Sequence, residues 1–173
     1  MKITMENYFD RILENKKIPK QIKETVCSEM HHALEVSNMA VLISKELGKD
    51  KQFRDDIAVA GVLHDIGKLR VNRYVYSDEK DDTLVIEKMK YVRMHSTYSR
   101  DILKGEDYPE NIIEAVYHHH ENYDGSGYPD GLKGKNIPEM SRILRTCDVF
   151  SALITDRSCL LYTSPSPRDG ATS

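Results

Sequence analysis

His118-His119-His120-Glu121-Asn122-Tyr123-Asp124-Gly125-Ser126-Gly127-Tyr128-Pro129 is the stretch from which the chain is best read. It brings three imidazoles and two carboxylates together in a few residues and then closes in a Gly/Pro turn. His64-Asp65 repeats the same donor types upstream. Clustered imidazoles and carboxylates are the donors of multi-metal hydrolytic sites.

Outward from these two points the apolar spacing is helical. Ala33, Val36, Met39, Ala40, Ile43 and Leu47 recur every three or four residues and stop before Gly48, which predicts one amphipathic helix with a C-terminal breaker. Ile57, Val59, Ala60, Val62 and Leu63 form a more uniformly apolar segment leading into His64-Asp65, as expected of a central helix that ends at a site. A further helix is predicted from about Val85 to Leu103. Another opens at Pro109, with proline near its first turn, and a last one follows Pro138 to about Thr155. The segment from Tyr74 to Thr83, dense in Asp, Glu and Lys, reads as an exposed loop. Strand-like alternation is weak and no repeat is present, so the fold class is all-α.

Neighbouring residues on a helix diverge by about 100°. Asp65 can therefore bridge two ions while His64 binds one of them from the side. Lys68, four residues after His64, shares its face if the helix persists, and could meet a phosphate oxygen or a leaving group. Gly125, Gly127 and Pro129 allow a tight turn whose backbone approaches a ligand closely, with Tyr128 offering a ring and a hydroxyl.

Both motifs match the HD-GYP family. His64-Asp65-Ile66-Gly67-Lys68 resembles its HD segment, and the run from His119 to Pro129 resembles its HHE…DGxGYP segment, in the expected order. The resemblance covers about Glu24 to Arg157. It implies a helical HD-superfamily bundle that hydrolyses cyclic di-GMP to pGpG or GMP at a two-metal centre. The ligands it implies are His32, His64, Asp65, His95, His119, His120 and Asp148, with Asp65 and Lys68 acting in catalysis. His31 and His118 are then spare, the latter structural or exposed. Lys68, Gly127, Tyr128, Pro129 and Arg157 are the implied substrate contacts, Arg157 as a phosphate or guanine clamp suited to its fork geometry. Iron or manganese suits such a donor set best, and zinc and nickel also bind it. A diguanylate cyclase domain docking on the Gly127-Tyr128-Pro129 loop is a further partner that the resemblance suggests.

The chain departs from the pattern in places. Ser28 stands where the family often has a carboxylate, with Glu29 one position on, so two ions are expected rather than three. Ser96 replaces a proline after the middle histidine, Asn72 and Arg73 stand where a proline is typical, and Ser151 takes the place of a second Asp. Cys159-Leu160-Leu161-Tyr162-Thr163-Ser164-Pro165-Ser166-Pro167-Arg168-Asp169 resembles a transposase-type sequencing adapter translated in frame. The expectation is a helical extension or linker over 1–23, a domain over 24–158 cut short of its last helices, and a non-native, disordered tail over 159–173. The alternative is a natural Ser/Pro-rich terminus.

The 173 residues suffice for a single packed domain, and 31% charged with 39% hydrophobic is ordinary for a globular chain. A net charge of −3 argues against a polynucleotide partner, while a small nucleotide needs only a local group of cations. Cys27, Cys147 and Cys159 show no paired spacing, which suits reduced cytosol, and no run is long and apolar enough to span a bilayer. Cytoplasmic location is the expectation. Rival readings are a catalytically silent sensor of a cyclic dinucleotide or docking module, a fragment without function, and, within the enzyme class, 3′,3′-cyclic GMP-AMP as substrate.

Overall fold

In the computed structural model the backbone is described for residues 20–75 and 92–154, and the side chains for 25–71 and 92–154. The described residues are helical without a strand, in the order α1 (Lys20–Glu46), α2 (Lys51–Leu63), α3 (Lys68–Val75), α4 (His95–Gly105), α5 (Glu110–Tyr117) and α6 (Glu139–Ile154). A short 3-10 turn at Gly134–Asn136 precedes α6.

The helix α1 ends where the apolar periodicity stops. Lys49 N–H donates to Ser44 O at 3.0 Å and Gly48 N–H to Lys45 O at 3.0 Å, a pairing that satisfies the last carbonyls of the helix. Asp50 caps α2 by accepting from Phe53 N–H at 2.8 Å. Val36 and Ala40 of α1, Ile57 and Ala60 of α2, Leu103 of α4, Ile112, Ile113, Ala115 and Val116 of α5, and Met140, Ile143, Leu144 and Cys147 of α6 form one buried core. Removing this much apolar surface from water at ~25 cal/mol per Å² is the main force joining the helices. Ser141 Oγ on α6 sits at 3.3 and 3.2 Å from Glu114 O and Ala115 O, fixing α6 against the C-terminal end of α5.

The feature that matters most for the site is the break after α2. Residues 64–67 form a turn, so Lys68 opens a new helix and does not extend the face of His64. Ser99 of α4 holds this turn. Gly67 N–H donates to Ser99 Oγ at 2.8 Å, and Ser99 Oγ donates to His64 O at 3.1 Å. Gly67 lies so close to α4 that a Cβ there would be 2.0 Å from His95 O and 2.6 Å from Ser99 N.

Several boundaries differ from the sequence reading. Tyr74 and Val75 are helical, because α3 restarts at Lys68 and runs on past the turn; the remainder of the expected loop lies outside the described residues. The helix expected from Val85 has its described part as α4 from His95, preceded by a short helical turn at 92–93. A division between residues 23 and 24 falls inside α1. Arg157 and the stretch 159–173 lie outside the described residues. Among the described residues no helix is long and apolar enough to cross a membrane.

Candidate metal centre

The expected ligands come from every main helix of the core and meet at one end of the bundle. His32 leaves the middle of α1, His64 and Asp65 follow α2, His95 begins α4, His119 and His120 follow α5, and Asp148 projects from α6. They fall into two groups whose ligand atoms lie within 4.8 Å of one another: Asp65, His95, His119 and His120 in one, His32, His64 and Asp148 in the other. Asp65 joins them. Its Oδ1 is 3.2 Å from His95 Nε2 and 3.9 Å from His119 Nε2, while its Oδ2 is 3.1 Å from His64 Nε2 and 3.9 Å from His32 Nε2. One carboxylate oxygen therefore faces each group.

The tautomers are set mainly by the backbone. His64 Nδ1 lies 2.8 Å from Gly61 O and His119 Nδ1 lies 2.6 Å from Val116 O; His95 Nδ1 likewise contacts Val92 O. A carbonyl only accepts, so each Nδ1 carries a proton, and in the neutral ring Nε2 presents a lone pair to the centre. His95 Nε2 and His119 Nε2 face each other at 3.3 Å. His64 Nε2 and Asp65 Oδ1 are buried without a hydrogen-bond partner, although oppositely charged atoms lie near them. Close approach without hydrogen-bond alignment is expected of ligands aimed at a common ion. The donor chemistry fits divalent transition ions, and the two groups joined by a carboxylate fit a pair of them.

His120 is the exception. Arg145 Nη1 donates to its Nδ1 at 3.3 Å, which puts the proton of a neutral ring on Nε2, 3.0 Å from His95 Nε2. To bind an ion through Nε2, His120 must lose that proton or Arg145 must move. The sequence reading missed Arg145, although its place three residues before Asp148 on α6 puts both on one helical face. Arg145 Nε also donates to Asn122 Oδ1 at 3.2 Å, and its Nη1 lies 3.8 Å from Asp148 Oδ2.

His118 is structural. It is buried, with Nε2 3.0 Å from Asp130 Oδ2 and Nδ1 3.2 Å from Glu114 O, so it braces the loop on α5. In that loop Tyr128 stacks on His120, with ring centroids 4.7 Å apart, and the Arg93 guanidinium lies over the Tyr128 ring, 5.5 Å from its centroid. Gly127 presses against the chain just after the ligands, where a Cβ would be 2.2 Å from Asn122 N. The Tyr128-Pro129 bond is cis. Glu121 Oε1 accepts from Asp130 N–H at 2.8 Å, closing the loop from inside. Lys68 reaches the centre despite the break after α2, with Nζ 2.6 Å from Asp65 Oδ2 and 3.4 Å from Glu29 Oε2. Glu29 is thus a partner of Lys68.

Burial and mutual charge spread the titrations apart. Burial opposes a charge on His64, but the Asp65 carboxylate outweighs it and raises the imidazole to about 9. Burial would raise the Asp65 carboxyl, yet His64 and Lys68 hold it well below its ordinary range. Burial likewise works against Asp148, and the hydrogen bond from His32 with the charge of His64 brings it to about 2. His119 is pushed down to about 3 by burial and by the charges of His64 and His95. His120 and His95 are lowered too, burial being the largest cause for each. Lys68 is raised by Asp65 and Glu29 in spite of burial and keeps its charge.

These shifts predict how the metal-free protein responds to pH. An unfolded histidine titrates near ~6.5. Below that pH the unfolded chain takes up protons that folded His119, His120 and His95 refuse, so stability falls as pH drops toward 3. His64 acts in the opposite sense. Its contribution is complete below about 6.5 and is lost as pH rises through about 9. Chelator-treated protein should therefore melt highest near about pH 6.5. A melting temperature that climbs steadily from pH 5 to 9 would contradict this balance.

The profile of a family described as HD domain matches residues 9–164. The cyclic di-GMP phosphodiesterase response regulator RpfG of Xanthomonas campestris is 36% identical over 124 residues, covering 70% of this chain and 32% of that protein. A cyclic di-GMP phosphodiesterase of Thermotoga maritima is 32% identical over 167 residues, 95% of this chain and 44% of that protein. 3'3'-cGAMP-specific phosphodiesterase 1 of Vibrio cholerae is 35% identical over 126 residues, 73% and 29% respectively. The chain thus spans less than half the length of these relatives. The crystal structure of a cyclic GMP-AMP specific phosphodiesterase of Vibrio cholerae superposes with a TM-score of 0.56 at 19% identity, over 77% of this chain and 39% of that one, a likeness of fold.

Proposed function

Because this chain belongs to the HD domain family, we propose that it is the catalytic region of a bacterial metal-dependent phosphodiesterase that opens a cyclic dinucleotide. Cyclic di-GMP is the first substrate we assign, and 3′,3′-cyclic GMP-AMP the alternative; relatives of similar identity are named for each. The observation that carries this reading is Asp65, whose two oxygens face two separate groups of histidine and carboxylate ligands. Cytoplasmic location belongs to the proposal, and Cys27 and Cys147 are free thiols, as it requires.

Two divalent ions, iron or manganese by preference, would be held by the seven ligands and would supply an acidified water and positive charge at the phosphodiester. The chain's own groups do the rest. Water adds to phosphorus, the P–O3′ bond breaks, and the 3′-oxygen leaves as a hydroxyl. Lys68, charged at all working pH values, stands beside Asp65 where it can offset charge on a phosphate oxygen or on the leaving oxygen. Asp65 and Asp148 remain ionised throughout the neutral range. Tyr128 keeps its proton, because burial and then Asp65 raise its phenol, and it offers a donor beside His120. Its stacking supports assigning Gly127, Tyr128 and Pro129 to the wall of the substrate cavity rather than to a docking edge for a diguanylate cyclase. Arg145 adds a fork-shaped cation beside His120, and Arg157 is assigned as a phosphate or guanine clamp.

The test is anaerobic incubation of the metal-loaded chain with cyclic di-GMP and, separately, with 3′,3′-cyclic GMP-AMP, following linear product by chromatography. Cyclic di-GMP should yield pGpG or GMP only when metal is present. A protein that carries two ions, binds the nucleotide and leaves it intact would be a sensor instead.

A further inference from the structure

Among the five imidazoles at the centre, His32 is oriented in a way of its own. Its Nδ1 lies 3.1 Å from Ser151 Oγ on α6, and Ser151 Oγ donates to Glu35 Oε2 at 2.9 Å. A serine hydroxyl has one proton. Because that proton goes to the Glu35 carboxylate, Ser151 meets His32 as an acceptor, and His32 Nδ1 must carry the proton. Nε2, 3.2 Å from Asp148 Oδ1 and grouped with His64 and Asp148, is then the nitrogen presented to an ion. Ser151 is fully buried, whereas Glu35, one turn along α1 from His32, is exposed.

We propose that Glu35 and Ser151 are positioning residues for His32, a carboxylate-hydroxyl-imidazole relay that fixes the ring's tautomer and tunes one of the two ion sites separately from the other. The inference rests on the reading of His32, His64 and Asp148 as an ion site. Its asymmetry follows from chemistry already described. His64, His95 and His119 lean on main-chain carbonyls that no substitution removes, while His32 leans on two replaceable side chains from α1 and α6. Outer partners of this kind typically change metal affinity by about 10–100-fold.

The experiment titrates the metal-free full chain with Mn2+, read by paramagnetic resonance of the free ion, beside 15N shifts of the His32 ring in the metal-free state. Glu35→Ala, at an exposed helical position, should weaken one Mn2+ site about 10–100-fold and leave the other within about threefold. It should also lower the share of His32 rings whose Nδ1 carries a proton. Glu35→Gln keeps an acceptor oxygen for Ser151 and should stay near wild type in both readouts. In a Ser151→Asp background, where a carboxylate can meet His32 directly, Glu35→Ala should cost nothing further. The proposal is overturned if Glu35→Ala leaves the tautomer and both affinities unchanged. It also fails if Gln and Ala weaken binding alike, since that would make Glu35 a distant charge. Wild-type protein that takes up no Mn2+ would overturn the ion-site reading, and the tautomer of His32 would still decide for or against the relay.

Discussion

Asp65→Ala should abolish turnover, lowering kcat by at least about 10³-fold, and should cost both ion sites together. The two oxygens of Asp65 face the two groups, lying 3.2 Å from His95 Nε2 and 3.1 Å from His64 Nε2. Removal of the carboxylate also leaves His64 and Lys68 as buried like charges, having lost the anion that raises the pKa of each. The His64 proton should then titrate well below about 9, so that in the metal-free variant the stability lost at alkaline pH in the parent no longer appears there. Asp65→Asn separates shape from charge. It keeps an oxygen but presents an amide toward one group, so it should retain the fold and at most one ion. Metal analysis per chain, product formation and an NMR titration of His64 check the three parts. Two bound ions in Asp65→Ala would show that the carboxylate does not join the sites.

The largest structural effect is expected at Gly67. A Cβ there would sit 2.0 Å from His95 O, 2.6 Å from Ser99 N and 2.8 Å from Ser99 Oγ. The two closest atoms are backbone and cannot swing aside, so α4 must retreat from the turn after α2. That movement stretches both hydrogen bonds of Ser99 and shifts His95 away from Asp65. Gly67→Ala should destabilise the chain by about 3 kcal/mol or more, lowering the melting temperature by roughly 10 °C, and should weaken metal uptake by the group containing His95. Gly105→Ala is the control, because a Cβ there meets nothing within 4 Å of the end of α4. It should be neutral or slightly stabilising. Equal melting temperatures for the two variants would mean that the turn and α4 are not as tightly joined as the distances imply.

Much of this site was legible in the sequence because its donors are rare residue types at fixed spacings. The seven candidate ligands were readable from two dense motifs and their likeness to one family, and the C-terminal ends of α1 and α2, the start of α5 and both ends of α6 from apolar periodicity, breakers and prolines. What escaped was set by tertiary contact. The restart of the chain at Lys68 depends on Ser99, 32 residues away from Gly67. The interaction of Ser151 with His32 spans 119 positions and has no local pattern. His118 carries the same side chain as His119 and His120, and only the placement of Asp130 and Glu114 makes it a brace. The spacing of Arg145 to Asp148 places it on the face of a ligand, but its contact with His120 follows only from the packing of α6 beside the end of α5.

The carbonyls of Gly61, Val92 and Val116 orient three of the five rings, and every amino acid carries a carbonyl. For that duty the identity of the side chain at these positions is immaterial, so mutation there can remodel packing without rewriting which nitrogen of the neighbouring imidazole is free. Such orientation is inherited through the helical path of the chain rather than through particular residues. A survey for orienting partners that compared side chains alone would find the Ser151 hydroxyl and the Arg145 guanidinium, and would pass over the more durable majority.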